Sequence, residues 1–324
     1  MTQVYITIDT EYSARMHARL GVGGRAENFR KSILGAVEGR AVGVAYQLDT
    51  FDRHGLKAVF FVDPMPAMVW GVEAITDIVG PIVERGHDVQ LHLHSEWLKF
   101  AGANNPIGAR TGDNIKDFEQ DEQCVLLDYA LKTLMAAGAP RPVAFRAGNY
   151  GANDATLRAL AELGLKYDTS HCPGIAVSQC AISLGAKDRS PMDYCGVVEV
   201  PIGCIESFRG WKRHAQITAL SAAELLAAVA FAHRTQSGPV TVVSHSFELL
   251  SRDRTRINPF LKRRFEMVCA GLEKMEGVET ATYAAAPPVV ETRAAPAPIL
   301  PPNLLREGLR IAEQALGNAL YGAK

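Results

Sequence analysis

The 324-residue sequence lacks several features that would assign it to a specialised class of protein. No apolar run reaches the about 20 residues that a membrane-spanning helix needs, and the best candidate, residues 219–233, is too short and carries Glu224. The amino terminus has no basic start, apolar stretch or small-residue cleavage site typical of a secretory signal. These absences predict a cytoplasmic protein with no membrane span.

The chain is also poor in cysteine patterns and in excess charge. Its six cysteines form no CxxC pair and are sparse for the length, which favours reduced, mostly buried thiols over a disulfide framework. The 34 basic and 35 acidic residues give a net charge of −1, and the basic residues are dispersed. This distribution argues against nucleic acid as a partner.

Short β-branched or aromatic runs alternate with longer helical patterns along the chain. Residues 4–8 and 58–62 are typical of strands, and the pattern over residues 28–54 predicts one long amphipathic helix. Strands that alternate with crossover helices form a mainly parallel sheet covered by helices. About seven such units favour an α/β fold with a closed or nearly closed barrel over an open sheet.

The composition changes near the carboxyl terminus. We predict a barrel domain over residues 1–283, a Pro/Ala-rich linker or arm over residues 284–302, and a C-terminal helix over residues 303–324. One face of this tail helix carries Leu305, Leu309, Ala312, Leu316 and Leu320. Such a face predicts packing on the body of the protein or on a second copy, as in a homo-oligomer.

Polar residues follow the carboxyl ends of five predicted strands, where the active sites of parallel α/β folds assemble. Strand ends become polar simply because the chain leaves the core, but this explains one or two such residues rather than five. The residues are Asp9 after YITI, His92 after DVQL, Arg146 after VAF, Asp168 after LKY and His245 after VTVV.

The segment HLHSE gives the strongest local signal. Alternate side chains of an extended chain share a face, so His92, His94 and Glu96 can point the same way. Two imidazoles and a carboxylate on one face suit Zn²⁺ or a similar divalent ion. The sequence therefore predicts a metal site here.

The same alternation places Asp9 and Glu11 on one face at the end of the first strand. One carboxylate could bind metal while the other stays free as a base. A helix N-terminal cap is the alternative, although the following segment GVGGR is not an obvious helix.

The segments FRAGNYG and SHS add further candidates. A buried Arg146 needs an anionic partner, and the turn that follows it could supply backbone N–H groups for an oxyanion. His245 is a candidate proton donor. Each of these signals is weak by itself, since a surface arginine on a plain turn and a structural histidine are common.

Taken together, these motifs resemble the polysaccharide deacetylase family, the NodB-homology fold of carbohydrate esterase family four. The resemblance spans residues 4 to 250. TIDTE resembles the family's TFDD, GHDVQLHLHSE its GHEIGNHTxxH, FRAGNYG its RxPxG, and VVSHS its LxH, while YDTS resembles its fourth motif. Five short motifs in the family's order, with GHDVQLH particularly close, are hard to obtain by chance.

The resemblance implies a distorted parallel (β/α) barrel and hydrolysis of an N-acyl group, such as N-acetyl, on a saccharide. It implies a divalent metal cofactor, Zn²⁺ first and otherwise Co²⁺, Ni²⁺ or Mn²⁺. Asp9 would be the general base, oriented by Arg146, and His245 the acid. A backbone N–H near Asn149 or Tyr150 would hold the oxyanion, and Asp168 would tune the arginine or the histidine.

Three positions depart from the family pattern. Thr10 replaces the second aspartate, Glu96 replaces the second histidine while His94 lies between, and Ala147 replaces the proline of the third motif. The ligand set therefore stays open, with His92 first and Asp9, Glu11, His94 and Glu96 as the others. The alternatives in function are a deformylase acting on a lipid-linked aminosugar and a catalytically silent saccharide-binding relative.

Overall fold

The computed structural model describes residues 1–290 and 295–322. The strands of this part are β1 (Thr2–Thr10), β2 (Ala36–Val37), β3 (Arg40–Ala41), β4 (Val59–Val62), β5 (Asp88–Leu93), β6 (Ala144–Ala147), β7 (Tyr167–Asp168), β8 (Met192–Tyr194), β9 (Val197–Glu199), β10 (Cys204–Glu206), β11 (Lys212–His214), β12 (Val240–His245) and β13 (Val278–Thr280). The helices are α1 (Ala14–Leu20), α2 (Arg25–Ser32), α3 (Val44–Arg53), α4 (Ala67–Trp70), α5 (Glu73–Glu84), α6 (Gln120–Ala136), α7 (Asp154–Glu162), α8 (Ala222–Thr235), α9 (Pro259–Glu273) and α10 (Leu304–Tyr321).

The main sheet has the strand order β12-β1-β4-β5-β6-β7-β9-β8. Every neighbouring pair from β12 to β9 is parallel, and β8 adds an antiparallel edge. Strand β13 pairs with the start of β1. The seven strands from β12 to β9, together with the parallel β13, thus form a curled sheet with helices around it in the described part of the chain, which confirms the α/β barrel predicted from the sequence.

The chain that leaves β9 bridges the gap between the two sides of this sheet. The N–H of Gly203 donates to the carbonyl of Thr241 (3.0 Å), and the N–H of Val243 donates to the carbonyl of Ala215 (2.8 Å). The N–H of Ile217 also donates to the carbonyl of Val243 (3.1 Å). Residues 203 and 215–217 therefore lie along the free edge of β12, so the barrel is nearly closed without a complete strand at this place.

The single helix predicted over residues 28–54 is wrong. The chain forms α2, the short hairpin β2–β3 and α3 in this stretch. Gly35 and Gly39 have φ values of 55° and 73°, which are left-handed and end a regular helix. A side chain at Gly43 would lie 2.1 Å from the carbonyl oxygen of Ile33, so the backbone packs too closely there for any other residue.

The tail helix is present as α10, but its apolar face does not pack on the barrel. Leu305, Leu309, Leu316 and Leu320 are each more than half exposed. Its docked side is polar, which helical periodicity alone does not reveal. The prediction of packing on the body through the leucines is therefore wrong, and packing on a second copy stays a prediction.

The Pro/Ala-rich arm is described on both sides of residues 291–294, which lie outside the described residues, as do residues 323–324 of the predicted tail. Within the arm, Leu300 lies beside β10 and accepts a hydrogen bond from the N–H of Glu206 (3.0 Å). The division into domain, arm and helix stays a prediction. No helix among the described residues is long and apolar enough to cross a membrane.

Candidate metal and catalytic site

The strand register brings the predicted site residues to one edge of the sheet. Asp9 on β1 lies opposite His245 on β12, and His92 on β5 lies opposite Arg146 on β6. These strands are parallel, so their carboxyl ends meet at the same edge. Side chains that are far apart in the sequence therefore lie close together at this edge of the sheet.

Glu11, His92 and His94 form a cluster whose ligand atoms all lie within 4.8 Å of one another. The Oε2 atom of Glu11 is 2.6 Å from Nε2 of His94 and 3.1 Å from Nε2 of His92. The orientation of the His92 ring is fixed on the side away from the cluster, because its Nδ1–H donates to the carbonyl of Arg146 (2.7 Å). This bond leaves the Nε2 lone pair of a neutral imidazole facing the cluster, as in metal-binding histidines.

The donor set of the cluster fits a divalent cation. One carboxylate oxygen and two imidazole nitrogens suit Zn²⁺ and its neighbours in the first transition row. Glu96 lies outside the cluster, with its carboxylate 3.9 Å from Nδ1 of His94 and its side chain 39% exposed. Among the ligands that the sequence left open, the structure brings Glu11 and His94 to His92.

Burial and charge set the protonation of the cluster. Burial raises the pKa of Glu11, but the charges and hydrogen bonds of His94 and His92 outweigh it and hold that pKa well below its usual range. Burial lowers the pKa of His94, yet Glu11 reverses the effect and raises it to about 10. The cluster thus favours a cationic charge beside the carboxylate of Glu11.

Glu11 is free for this role because another residue caps the next helix. A helix does follow Asp9 and Glu11, at Ala14–Leu20 and thus before the segment GVGGR, but the cap of this helix α1 is Ser13. The Oγ of Ser13 accepts the N–H of Met16 (3.2 Å). The reading of Asp9 and Glu11 as cap residues is therefore excluded.

Asp63 belongs to the same site and was missed in the sequence. It follows β4, is fully buried, and accepts the N–H of Met65 (3.1 Å) and of His94 (3.4 Å) at Oδ1. Its Oδ2 has no hydrogen-bond partner in the described part of the chain, and burial raises its pKa to about 7. The segment FFVD is one more predicted strand that is followed by an acid. The strand-end pattern that points to Asp9 and Asp168 therefore also points to Asp63.

Asp9 does not belong to this cluster and instead forms an ion pair with Arg146. Both side chains are buried, and Nη1 of Arg146 lies 2.6 Å from Oδ1 of Asp9. The same Nη1 donates to Oγ1 of Thr7 (2.8 Å), and the guanidinium lies 4.4 Å from the ring centre of Phe61. The anionic partner expected for Arg146 is thus Asp9, and the arginine is fixed from several sides.

His245 approaches Asp9 from β12, with Nε2 3.9 Å from Oδ2 of Asp9. Behind it lies Glu248, which the sequence analysis missed, with a carboxylate oxygen 3.7 Å from Nδ1. Burial lowers the pKa of His245, but Glu248 and Asp9 outweigh it and raise the pKa to about 9. The histidine is therefore protonated at neutral pH and can act as an acid.

Glu248 is itself held by three donors. Its carboxylate accepts the side chains of Gln216 (2.7 Å) and Thr218 (2.6 Å) and the N–H of His245 (2.9 Å). Burial raises its pKa, but the imidazole of His245 and the hydroxyl of Thr218 lower it to about 2. In the sequence, an acid three residues after a strand end gives only a weak signal of this arrangement.

The turn after β6 packs against the cluster of predicted metal ligands. A Cβ atom at Gly148 would lie 2.6 Å from Nδ1 of His94, so the turn packs directly on the imidazole. Asn149 and Tyr150 follow with left-handed φ values of 56° each, and Asn149 is exposed. Their predicted role, an N–H that holds an oxyanion, stays a prediction.

Asp168 lies below this turn rather than in the cluster. It accepts the N–H (2.8 Å) and the hydroxyl (2.9 Å) of Ser170, whose Oγ in turn accepts the N–H of Ala147. Burial raises the pKa of Asp168, and the same burial together with the charge of Asp168 raises that of Glu199 well above its usual range. The hydrogen bonds described for Asp168 fix the backbone beneath the site, and its catalytic role stays a prediction.

Two adjoining cavities of about 500 and 580 Å³ lie around the hairpin β10–β11. Cys172 lines the first and packs in one cluster with Tyr150, so this cavity begins beside the turn after β6. Trp211 and Lys212 line both cavities, and the ring of Trp211 is 64% exposed. A wide groove with an aromatic wall thus lies near this turn.

Solved structures match this architecture. A protein assigned as a polysaccharide deacetylase from Mycobacterium smegmatis is 18% identical, with a TM-score of 0.55 over 90% of this chain and 94% of that chain. The chain shares its fold with the polysaccharide deacetylases. This fold agrees with the resemblance of the five motifs.

The deacetylase fold does not by itself decide the reaction. A 4-α-glucanotransferase from Thermococcus litoralis is 10% identical, with a TM-score of 0.50 over 88% of this chain and 40% of that chain. No protein-family model and no curated protein sequence matches this chain. The residues of the site must therefore carry the functional argument.

Proposed function

We propose that the protein is a hydrolase that removes an N-acyl group, N-acetyl first, from a sugar or saccharide precursor with the help of a divalent metal ion. The observation that carries the proposal is the cluster Glu11–His92–His94 beside the Asp9–Arg146 pair and His245. These residues fill the roles of metal ligands, base and acid that hydrolysis of an amide requires. The deacetylase fold supports the same conclusion.

Glu11, His92 and His94 would hold the metal, which we propose to be Zn²⁺, or otherwise Co²⁺, Ni²⁺ or Mn²⁺. When bound, the ion supplies Lewis acidity to the acyl carbonyl and to a water molecule. Asp63 would support the ligands, since its carboxylate accepts the backbone N–H of His94. Asp9 is then not needed as a ligand.

Asp9 would take a proton from the attacking water. Arg146 holds Oδ1 of Asp9 and leaves Oδ2, which is the atom nearest to His245. Proton transfer by such a positioned carboxylate contributes about 10²–10⁴-fold to a rate. His245, protonated at neutral pH through its contact with Glu248, would give a proton to the leaving nitrogen, so that acid and amine are released.

A backbone N–H at Asn149 or Tyr150 would stabilise the oxyanion, because the turn that carries them packs on His94. The saccharide would lie in the groove around the hairpin β10–β11. Trp211 offers an apolar ring face there, and Lys212 offers a donor for sugar hydroxyls. A cytoplasmic location stays a prediction.

The test is acyl release from a panel of N-acetylated and N-formylated sugars by protein loaded with Zn²⁺, with acetate and formate measured separately. We expect acetate release that Asp9→Asn lowers by about 10²–10⁴-fold. Asp193→Asn, on the exposed side of β8, is the matched control and should retain the full rate. Release of formate without release of acetate would instead support the alternative function, a deformylase.

Two outcomes would contradict the proposal. One is the absence of acyl release from every sugar with each of the four metals. The other is a rate of Asp9→Asn equal to that of wild type, since a base that holds the reacting water cannot be replaced by an amide without loss.

A further inference from the structure

Helix α10 docks on the barrel through its charged side chains. Arg310 is buried, with Nε 3.0 Å from Oε1 of Glu224 on α8 and Nη2 3.1 Å from Oε1 of Glu307. Glu313 lies 3.0 Å from Nη2 of Arg264 on α9. Arg310, Glu307 and Glu313 are therefore used for contacts within the chain.

The opposite side of α10 is exposed and carries no charge. Its exposed residues are Leu304, Leu305, Gly308, Leu309, Ile311, Ala312, Ala315, Leu316, Asn318, Ala319 and Leu320. A surface helix normally turns its apolar stripe to the core and its charges to water. Here the arrangement is reversed, with Asn318 as the single polar side chain on the solvent side of the described helix.

This face runs along the whole exposed side of a long helix. A helix of 18 residues is about 27 Å long. A face of this kind marks an interaction site.

The spacing of the exposed residues matches a helix–helix seam. Leu305, Leu309, Ala312, Leu316 and Ala319 follow one another at alternating steps of four and three residues, as in a heptad repeat. Gly308 and Ala315 lie beside this seam and allow a close approach of a second backbone. Because the face lacks charge of either sign, it is complementary to a copy of itself.

Continuity with a neighbouring groove enlarges the surface. A cavity of about 480 Å³ adjoins Leu309. Its lining combines the apolar side chains of Pro259, Phe260 and Met267 with the charged side chains of Arg263, Arg264, Arg306 and Glu313. Half of a helix surface of this length offers roughly 400 Å², whereas a stable dimer buries about 800 Å² on each partner. The groove supplies apolar area where leucines of a second α10 could insert.

A membrane surface is the less suitable occupant. Helices that lie on membranes are rich in lysine and arginine along the polar side and carry tryptophan, phenylalanine or leucine on the apolar side. Helix α10 has the leucines, but it contains no lysine and only two arginines, of which Arg310 is buried in ion pairs and Arg306 is half-buried.

We propose that two copies of the chain pair through the exposed face of α10 and the adjoining groove. Pairing would also fix the hairpin beside the substrate groove, because Glu307 accepts the N–H of Phe208 (3.1 Å) and the hydroxyl of Ser207. The dimer does not depend on the proposed reaction, since none of these residues belongs to the metal or catalytic site.

Light scattering coupled to size-exclusion chromatography of the full chain tests the dimer. We expect wild type to have twice the 35.1 kDa mass of one chain, and the double variant Ala312→Glu/Leu316→Glu to have the mass of one chain. The control Val125→Glu/Met135→Glu places two charges on exposed apolar positions of α6 and should stay dimeric. Circular dichroism spectra equal to that of wild type and a cooperative thermal transition in both double variants show that folding is retained, while the loss of association itself can lower the Tm of the α10 variant.

A wild type that is monomeric over the whole dilution series would overturn the proposal, and so would a dimer that Ala312→Glu/Leu316→Glu leaves intact. Monomers that float with vesicles of phosphatidylcholine and phosphatidylglycerol, and lose this binding in the α10 variant, would assign the face to membranes instead.

Discussion

Gly148 lies in the turn after β6 and packs directly against the imidazole of His94, because it has no side chain. Its φ is not left-handed, so an alanine there meets no backbone strain. The added Cβ would nevertheless lie 2.6 Å from Nδ1 of His94 and must displace the ring. We predict that Gly148→Ala lowers metal affinity about 10–100-fold, the loss typical when support of a ligand is disturbed.

Isothermal titration of the metal into both proteins measures this effect. Gly23→Ala is the matched control, because a Cβ at Gly23 meets no atom within 4 Å. Equal metal affinities of Gly148→Ala and Gly23→Ala would show that His94 is not a ligand, or that the position of its ring does not affect metal binding.

Glu248 sets the acid strength of His245. Removal of its charge by Glu248→Gln takes away the main contact that raises the pKa of the histidine to about 9. An acid must be protonated to act, so the rate of wild type should fall as pH rises through about 9. In Glu248→Gln this alkaline limb should move to lower pH, while the rate well below neutral pH changes less.

The pH dependence of kcat/KM measures this shift, with the exposed Glu84→Gln as the control that leaves the profile in place. An alkaline limb at the same pH in wild type and Glu248→Gln would exclude His245 as the acid.

Single residues of the site were predictable where they follow a strong strand. Asp9, His92, Arg146 and His245 all lie directly after such runs, and the structure places them at one edge. The choice among ligands was not predictable, since it depends on which side chain turns toward Glu11. Glu248 was missed because it lies beyond the strand, where only the folded turn returns it to His245.

At the scale of elements, the contact between α8 and α10 rests on one buried cluster of charges. Glu224 uses one carboxylate oxygen to cap α8, at the N–H of Ser221 (2.9 Å), and the other to hold Arg310. The capping box was predictable from Ser221 and Glu224. The second role of Glu224 was not, because Arg310 is 86 residues away.

We predict that Arg310→Met destabilises the protein by about 3–5 kcal/mol, because it leaves Glu224 and Glu307 buried without their cation. Urea unfolding followed by circular dichroism measures the free energy of unfolding. Asn318→Ala, on the exposed side of the same helix, should change it by less than about 0.5 kcal/mol. Equal effects of the two substitutions would contradict the role of the buried cluster.

The two failures of prediction at this scale have different causes. The apolar periodicity of residues 28–54 continues across Gly35, Gly39 and Gly43, so the pattern alone favours one helix although the backbone turns there. The periodicity of α10 is correct, but it does not reveal which side meets the barrel. In the first case the backbone turns locally at these glycines, whereas in the second the decisive contacts are made with the distant helix α8.

At the scale of the whole molecule, the alternation of strands and helices was sufficient to predict a parallel barrel. The closure of the barrel was not predictable, because residues 203 and 215–217 pair with β12 through isolated backbone bonds rather than through a strand with its own pattern. The same closing segment carries the hairpin β10–β11, so the groove beside the site is a consequence of how the barrel closes.

The metal content of purified protein tests the central claim most directly. After equilibration with Zn²⁺, elemental mass spectrometry measures the metal content of five proteins. They are wild type, the three ligand variants Glu11→Gln, His92→Ala and His94→Ala, and the control Glu96→Gln. The account predicts about one ion per chain in wild type and in Glu96→Gln, and strong loss in the other three. Negligible metal in wild type, or equal metal in all five proteins, would contradict it.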